Sequence, residues 1–334
     1  MDTAEIAPRR SVRSRRRRRR PPVLAVIDLG TNNCRLLIAV PLRHGRFRVI
    51  ESFSRAVRLG EGVAQSGVLS ADAIERAVAA LVICAQRVRR HRHYRLRAIA
   101  TDACRRAANA GELVARVTEK AGIDLDIITT DEEARLAAIG CAPLLGRRYD
   151  GALVFDIGGG STEIIWLEKD AAEPVYSTSI GLGVVGLAEE FGAQAGYAAI
   201  RDALMPRFAA IRREMEAVRP FDPARHHLLG TSGTVTTLAA LAIGLTRYER
   251  DKVDASWHTC DDILAVVDRL AGLDLAARAA LGCVGPERAD LVLAGCAIFG
   301  AIHAHWPCEE LRVADRGLRE GMLRELAAQR SGRA

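Results

Sequence analysis

A chain of 334 residues, 49% of them hydrophobic, is long enough for one large or two medium domains with buried cores. Its net charge of +7 resides in residues 1–22, where nine Arg face only Asp2 and Glu5, so the rest of the chain is neutral and the charge by itself points to nucleic acid only through the arm. The uncharged run 291–302 is too short for a bilayer-spanning helix, and eight Cys without a CxxC pair or His at ligand spacing exclude a disulfide framework and a zinc site. A reducing cytoplasm and no membrane are the expected setting.

The segment "RRSVRSRRRRRRPP" has no apolar periodicity and ends in two prolines, which predicts a disordered arm over 1–22. Asp28 interrupts the apolar run that follows, so a signal peptide is not expected. A solvated tail, or a start assigned too early, is the plainer reading of the arm; polyanion binding is the functional one.

From residue 23 onward, strand and helix patterns alternate, which argues an α/β fold. Strands are expected at 23–29, 34–40 and 46–53. Ser70 caps an expected helix over 71–90, with Ile74, Val78, Leu81 and Val82 on one face. Strands at 95–101 and 124–129 flank a further helix. The pattern then restarts, with strands at 151–156, 162–167 and 174–180 and helices near 196–217, 233–243, 260–271 and 286–304. Each half opens with a three-strand meander carrying an Asp-x-Gly turn, so two similar domains facing across a cleft are expected.

The two turns are "DLGTNNCRLLI" (28–38) and "FDIGGGSTEI" (155–164). Glycines let a backbone approach a ligand closely or take positive φ, so successive N–H groups form an anion cradle. Thr31, Asn32, Asn33, Cys34 and Arg35 in the first turn, and Gly158, Gly159, Gly160, Ser161 and Thr162 in the second, are candidate phosphate contacts. Asp28, Asp156 and Glu163 are candidate ligands for Mg²⁺, which takes carboxylates together with phosphate oxygens. A plain hairpin explains one such turn; it explains two matched turns poorly. A third cluster, Gly230, Thr231, Ser232, Gly233 and Thr234, joins a short strand to a helix whose N-terminus offers free N–H groups. An ordinary capped helix accounts for Thr234 alone.

Six segments in order carry a resemblance: the two turns above, "IATDACRRAAN" (99–109), "DEEARLAAIG" (131–140), "GTSGTVTTLA" (230–239) and "DRGLREGML" (315–323). Together they resemble the exopolyphosphatase and guanosine pentaphosphate phosphohydrolase (Ppx/GppA) family, in its short two-domain form, within the superfamily of actin, hexokinase and acetate kinase. Two departures stand out. The first turn has Thr31 and Asn33 where serines are usual, and Arg106 replaces a common acidic residue.

The resemblance implies two actin-like (ribonuclease H-like) domains, I over 23–130 and II over 131–314, with a final helix in 315–334 packing back on the first. It implies Mg²⁺-dependent release of terminal phosphate from inorganic polyphosphate or guanosine pentaphosphate, with Glu133 as the base that activates water. By similarity, Asp156 and Glu163 serve the metal, Gly158 is the loop glycine, and Arg35 and Arg105 line the phosphate path. A homodimer is expected. The bare sequence leaves alternatives open: Glu133 as a helix-dipole acid worth about 0.3–1 kcal/mol, Arg35 and Arg105 as surface charges, and Cys34 as a thiolate nucleophile without a partnering base. His226 and His227, before a strand, and His258, in a loop, read as structural. An ATP-dependent kinase of the same fold and a non-catalytic phosphate sensor are the competing functions.

Overall fold

The computed structural model describes residues 22–42, 46–169, 171, 173–192 and 196–329. The Arg-rich arm lies outside them apart from Pro22. The elements, in chain order, are β1 (Val23–Leu29), β2 (Asn33–Pro41), β3 (Phe47–Ala56), α1 (Val63–Ser66), α2 (Ala71–Arg89), β4 (Tyr94–Ala100), α3 (Asp102–Arg106), α4 (Ala110–Ala121), β5 (Leu125–Ile127) and α5 (Thr130–Cys141). They continue as β6 (Gly151–Ile157), β7 (Thr162–Glu168), β8 (Tyr176–Ile180), α6 (Val184–Phe191), α7 (Tyr197–Val218), β9 (His226–Thr231), α8 (Gly233–Ala242), α9 (Arg250–Val253), β10 (Trp257–Thr259), α10 (Cys260–Ala271), α11 (Leu275–Ala280), α12 (Val292–His305), β11 (Glu310–Ala314) and α13 (Leu318–Ala328).

Two sheets result, ordered β3-β2-β1-β4-β5 and β10-β11-β9-β6-β7-β8. Each is an antiparallel meander whose first strand also pairs in parallel with a later strand, β1 with β4 and β6 with β9. That shared topology makes them two actin-like, ribonuclease H-type domains. β1 and β6 read as near-continuous apolar runs because both faces are covered. Ala25 and Ile27 pack towards α2 and α4 in one core, while Leu24 and Val26 meet Met322 and Leu323 of α13 on the other face. The larger core of the second sheet gathers Phe155, Trp166, Phe208, Phe299 and Trp306.

The helices α5 and α13 lie between the sheets. Leu136 of α5 joins the core of the first sheet, whereas Ala134, Ala137, Ala138 and Cys141 face the second. Small residues allow this close crossing: a Cβ on Gly140 would lie 2.0 Å from the Gly317 carbonyl oxygen, and one on Gly321 would lie 2.0 Å from that of Leu136. Overpacking there has no soft side chain to displace.

Four details differ from the sequence reading. His226 and His227 are inside β9 and His258 is inside β10, rather than before a strand and in a loop. The short elements α6 and β11 are additional. Helix α12 starts at Val292, because Gly285 at φ +72° and the turns after it hold the chain out of helix. All three histidines are buried and bonded locally: His227 Nε2 accepts from Gly146 N at 3.0 Å, His226 Nδ1 pairs with Asp222 O at 2.8 Å, and His258 Nε2 with Ser256 Oγ at 2.8 Å.

Candidate active site

The two Asp-x-Gly turns are built alike. Gly30 N donates to Asn33 O at 2.9 Å, and Gly158 N donates to Ser161 O at 2.9 Å. Asp28 then faces Arg35 across β1 and β2, at the register where Asp156 faces Glu163 across β6 and β7. One half of the repeat thus presents a carboxylate and a guanidinium, the other two carboxylates.

The turns meet across the cleft. A Cβ on Gly159 would lie 3.1 Å from Thr31 Cβ, and one on Gly160 would lie 2.1 Å from Asp102 Oδ2 and 2.6 Å from Thr31 Oγ1. On the same side, Gly183 packs on the Gly159 carbonyl. None of Gly158, Gly159 and Gly160 takes left-handed φ, so the expectation of left-handed glycines is corrected: Gly159 and Gly160 are glycine because the first turn and Asp102 approach closely, and Gly158 because a Cβ there would lie 2.9 Å from the Ser161 carbonyl oxygen of its own turn. At the mouth of the cleft, Gly62 N donates to Glu189 Oε1 at 3.1 Å and Arg58 Nη2 reaches Asp290 Oδ2 at 3.5 Å. Asn32, Arg58, Glu61, Glu189, Asp290 and Leu291 line a cavity of about 210 Å³ there.

Four carboxylates converge from both halves. Glu163 is buried and accepts from Ser161 Oγ at 2.7 Å and Ser179 Oγ at 2.8 Å. Burial, and then the Asp156 charge, push its carboxyl up to about 7. Asp156, at the strand end, is pushed up to about 6 by burial of its carboxyl, although the residue as a whole keeps partial solvent contact; Arg35 opposes that shift and Asp28 adds to it. Asp28 is raised by burial, with Arg35 and Arg319 pulling it back. Burial and then Glu163 hold Glu133 well above the ordinary carboxylate range, against Arg105.

Thr129 caps α5 by accepting from Glu132 N at 3.2 Å, which sets Glu133 in the first turn. Arg105 Nη1, anchored on Ile128 O at 3.1 Å, donates to Glu133 Oε2 at 2.7 Å. Glu132 turns away to Arg97, and Arg97 and Arg135 continue to Glu325 of α13.

The third cluster contributes less than its composition suggests. A Cβ on Gly230 would strike the Phe155 ring at 2.6 Å, Thr231 Oγ1 is spent on Arg316 O at 3.0 Å, and Thr234 packs beneath Gly295. Ser232 is the exception. It takes φ 109° and ψ 171°, a region that strongly favours glycine, and its buried Oγ has no hydrogen-bond partner. The N-terminus of α8 beyond it has no side-chain cap.

Two other candidates serve packing. Cys34 turns its side chain into the first core, with Sγ 3.9 Å from that of Cys84, so neither a side-chain phosphate contact nor a nucleophile is available there. Thr162 Oγ1 is buried and donates to Leu182 O at 2.6 Å. Residues that the sequence did not single out do reach the site: Ser179, Asp102 and Arg288. Arg288 lies behind the third loop, 3.4 Å from Gly233 O, and its charge is disfavoured by burial and by Arg35. Asp102 Oδ2 and Asn32 Oδ1 are buried without hydrogen bonds, the former lying 3.7 Å from Arg106 Nη1.

The Ppx/GppA phosphatase family model matches residues 39–330. This chain belongs to that family. Among Ppx/GppA relatives, Exopolyphosphatase 2 of Mycobacterium tuberculosis is 33% identical over 318 residues, covering 91% of this chain and 98% of that protein. The crystal structure of the Aquifex aeolicus Ppx/GppA family member is 29% identical, with a TM-score of 0.77, 92% of this chain and 98% of that one being covered. An exopolyphosphatase from Cytophaga hutchinsonii, at 23% identity, shares the fold with a TM-score of 0.81 over 92% of this chain and 98% of its own. No helix among the described residues is long and apolar enough to cross a membrane.

Proposed function

We propose that this member of the Ppx/GppA phosphatases is a Mg²⁺-dependent phosphohydrolase that releases terminal phosphate from inorganic polyphosphate or guanosine pentaphosphate, with Glu133 as the base for the attacking water. The observation that carries the reading is that Asp28, Asp156 and Glu163, at two matched turns, and Glu133, in the first turn of α5, act on one another, each carboxyl raised above its ordinary range. Such a cluster is uncomfortable without a counter-charge.

The donor set suits Mg²⁺ of one kind only. Among the described residues, no three His, Cys, Asp or Glu side chains come together closely enough to hold a metal by themselves. Mg²⁺ commonly takes one or two carboxylates plus waters and substrate phosphates, so Asp156 and Glu163 would hold it once substrate arrives, with Asp28 beside them. When bound, it would offset charge on the phosphate oxygens during attack.

The chain's own groups do the rest. Glu133, whose proton affinity burial and Glu163 raise and Arg105 moderates, accepts a proton from water. Arg105 fixes the direction of that carboxylate. Gly159, Gly160, Thr31 and the uncapped start of α8 with Ser232 offer N–H and hydroxyl donors to phosphate oxygens. Arg35 and Arg319 supply positive charge to Asp28 and Asp156. Eight unpaired, buried cysteines suit a reducing cytoplasm.

Phosphate release should be measured on long polyphosphate, guanosine pentaphosphate and ATP, with and without Mg²⁺. Mg²⁺-dependent release from either of the first two supports the reading. A protein inert on both, or transferring phosphate from ATP to an acceptor, overturns it.

A further inference from the structure

Strand β3 is the outer edge of the first sheet, pairing only with β2 among the described residues. It spans ten residues, about 30 Å, from Ala56 beside the first phosphate turn to Phe47 at the opposite pole of the domain. A bulge interrupts its register: Ile38 pairs with Glu51, but Ala39 pairs with Val49. The extra residue reverses the alternation of faces. Arg48, opposite Val40, therefore shares a face with Glu51, Phe53 and Arg55, opposite Ile38, Leu36 and Cys34, and this face is turned towards α2.

The consequence is a basic line in the groove between the β3 edge and α2. Arg55 stands at the cleft end, close enough to the first turn for its charge to bear on Cys34. Arg87 of α2 follows, stacked 4.6 Å from the Phe53 ring centre, with Arg55 5.8 Å from the same ring. Arg48 lies further along the same face of β3, opposite Val40, and exposed Arg90 and Arg92 follow Arg87 in the turn after α2. Glu51, the acidic residue of β3, is neutralised by Arg87 at 2.6 Å. Arg48, Arg55, Arg90 and Arg92 make no ion pair among the described residues, so their charges are open to an anionic ligand. Val23 N donates to His93 O at 2.9 Å, so the nine-Arg arm joins the fold at this same pole.

We propose that this groove is a track for the distal phosphates of a linear polyphosphate chain whose terminal phosphate lies in the cleft. The assignment rests on the phosphohydrolase reading above and adds a substrate preference to it. Positive charge in line with an open strand edge suits an unbranched polyanion, because the unpaired edge N–H groups donate to phosphate oxygens as the guanidinium groups do. A nucleic acid fits less well. Base stacking needs a free aromatic face, and the Phe53 ring beside Arg55 and Arg87 already carries both guanidinium groups.

The test is Arg48→Gln/Arg90→Gln/Arg92→Gln, with Arg87 left in place to keep Glu51 paired and Arg55 left in place because it borders the cleft. Its partner is the triple Lys variant, which keeps the charges. On long polyphosphate at low salt, the Gln variant should raise KM about tenfold with kcat unchanged and flatten the slope of log kcat/KM against log salt by about 2; the Lys variant should restore most of both. Tripolyphosphate, too short to leave the cleft and reach Arg48, should show unchanged kinetics. Direct binding of fluorescent long polyphosphate, measured alongside, separates the track from turnover: loss of binding in the Gln variant supports it even if the wild type hydrolyses no polyphosphate. Unchanged KM and binding, or equal loss on tripolyphosphate, overturns the track. Lost retention of single-stranded RNA with polyphosphate binding intact also overturns it, in favour of a nucleic-acid surface.

Discussion

Arg105 Nη1 donates to Glu133 Oε2 at 2.7 Å, joining the short helix after β4 to the first turn of α5. Both side chains are largely enclosed, at 18% and 13% exposure, so this pair is screened less than a surface bridge. It opposes the burial and the Glu163 charge that raise the Glu133 carboxyl. Removing it should leave an enclosed carboxylate that ionises less readily. For Arg105→Gln, the acidic limb of the kcat against pH profile should move upward, with activity lost at neutral pH and partly recovered in more alkaline buffer. A limb that stays in place would mean that Arg105 does not tune Glu133.

Glu163 gives a stability prediction of definite sign. Its carboxyl is raised from 4.5 to about 7, so the folded chain binds this proton more tightly than the unfolded chain does. The stability it contributes is complete below about 4.5 and is lost as pH rises through about 7. Glu163→Gln keeps an acceptor for Ser161 and Ser179 but never ionises. Without Mg²⁺, the variant should melt a few degrees above the wild type at pH 8 and close to it at pH 4.5. A difference that does not change with pH would contradict the strain assigned to this carboxylate.

Ser232 stores strain of another kind. A serine at φ 109°, ψ 171° costs of order 1–3 kcal/mol, and its buried Oγ finds no partner in the free protein. Ser232→Gly should raise Tm by a few degrees while raising KM for phosphoanhydride substrates. Gains in both stability and affinity would show that the hydroxyl does not serve the substrate.

For the metal, Asp156→Asn should raise the Mg²⁺ concentration needed for half-maximal turnover and lower kcat, with the fold retained. Wild-type Mg²⁺ dependence in that variant would remove Asp156 from the cation site.

Much of this arrangement was legible in local sequence. The meander strands alternate or run apolar, Ser70 caps α2 by accepting from Ala73 N at 3.2 Å, and the two turns repeat the same spacing, which the shared register of Asp28 with Arg35 and of Asp156 with Glu163 bears out. Elements defined by distant partners were not. β11 has five residues, Glu310–Ala314, and exists because it slots between β9 and β10. α6 starts at Gly183 without a side-chain cap. Arg288 looks like a helical surface charge until the turns after Gly285 swing it behind the third loop. The reason for glycine at 159 and 160 was also out of reach, since the atoms it avoids, on Thr31 and Asp102, belong to the other half of the chain.

The central claim is that Glu133, rather than its neighbour, acts on water. Glu132 is tied to Arg97, on the side of the helix towards Glu325, while Glu133 faces Arg105 and Glu163. Single-turnover and steady-state phosphate release should therefore be compared for Glu133→Gln and Glu132→Gln on a phosphoanhydride that the wild type hydrolyses. The account predicts a fall in kcat of about 10² to 10⁴ for Glu133→Gln with substrate binding retained, and near wild-type turnover with slightly lower stability for Glu132→Gln. Equal loss in the two variants, or lost binding with turnover preserved at saturation in Glu133→Gln, would contradict it.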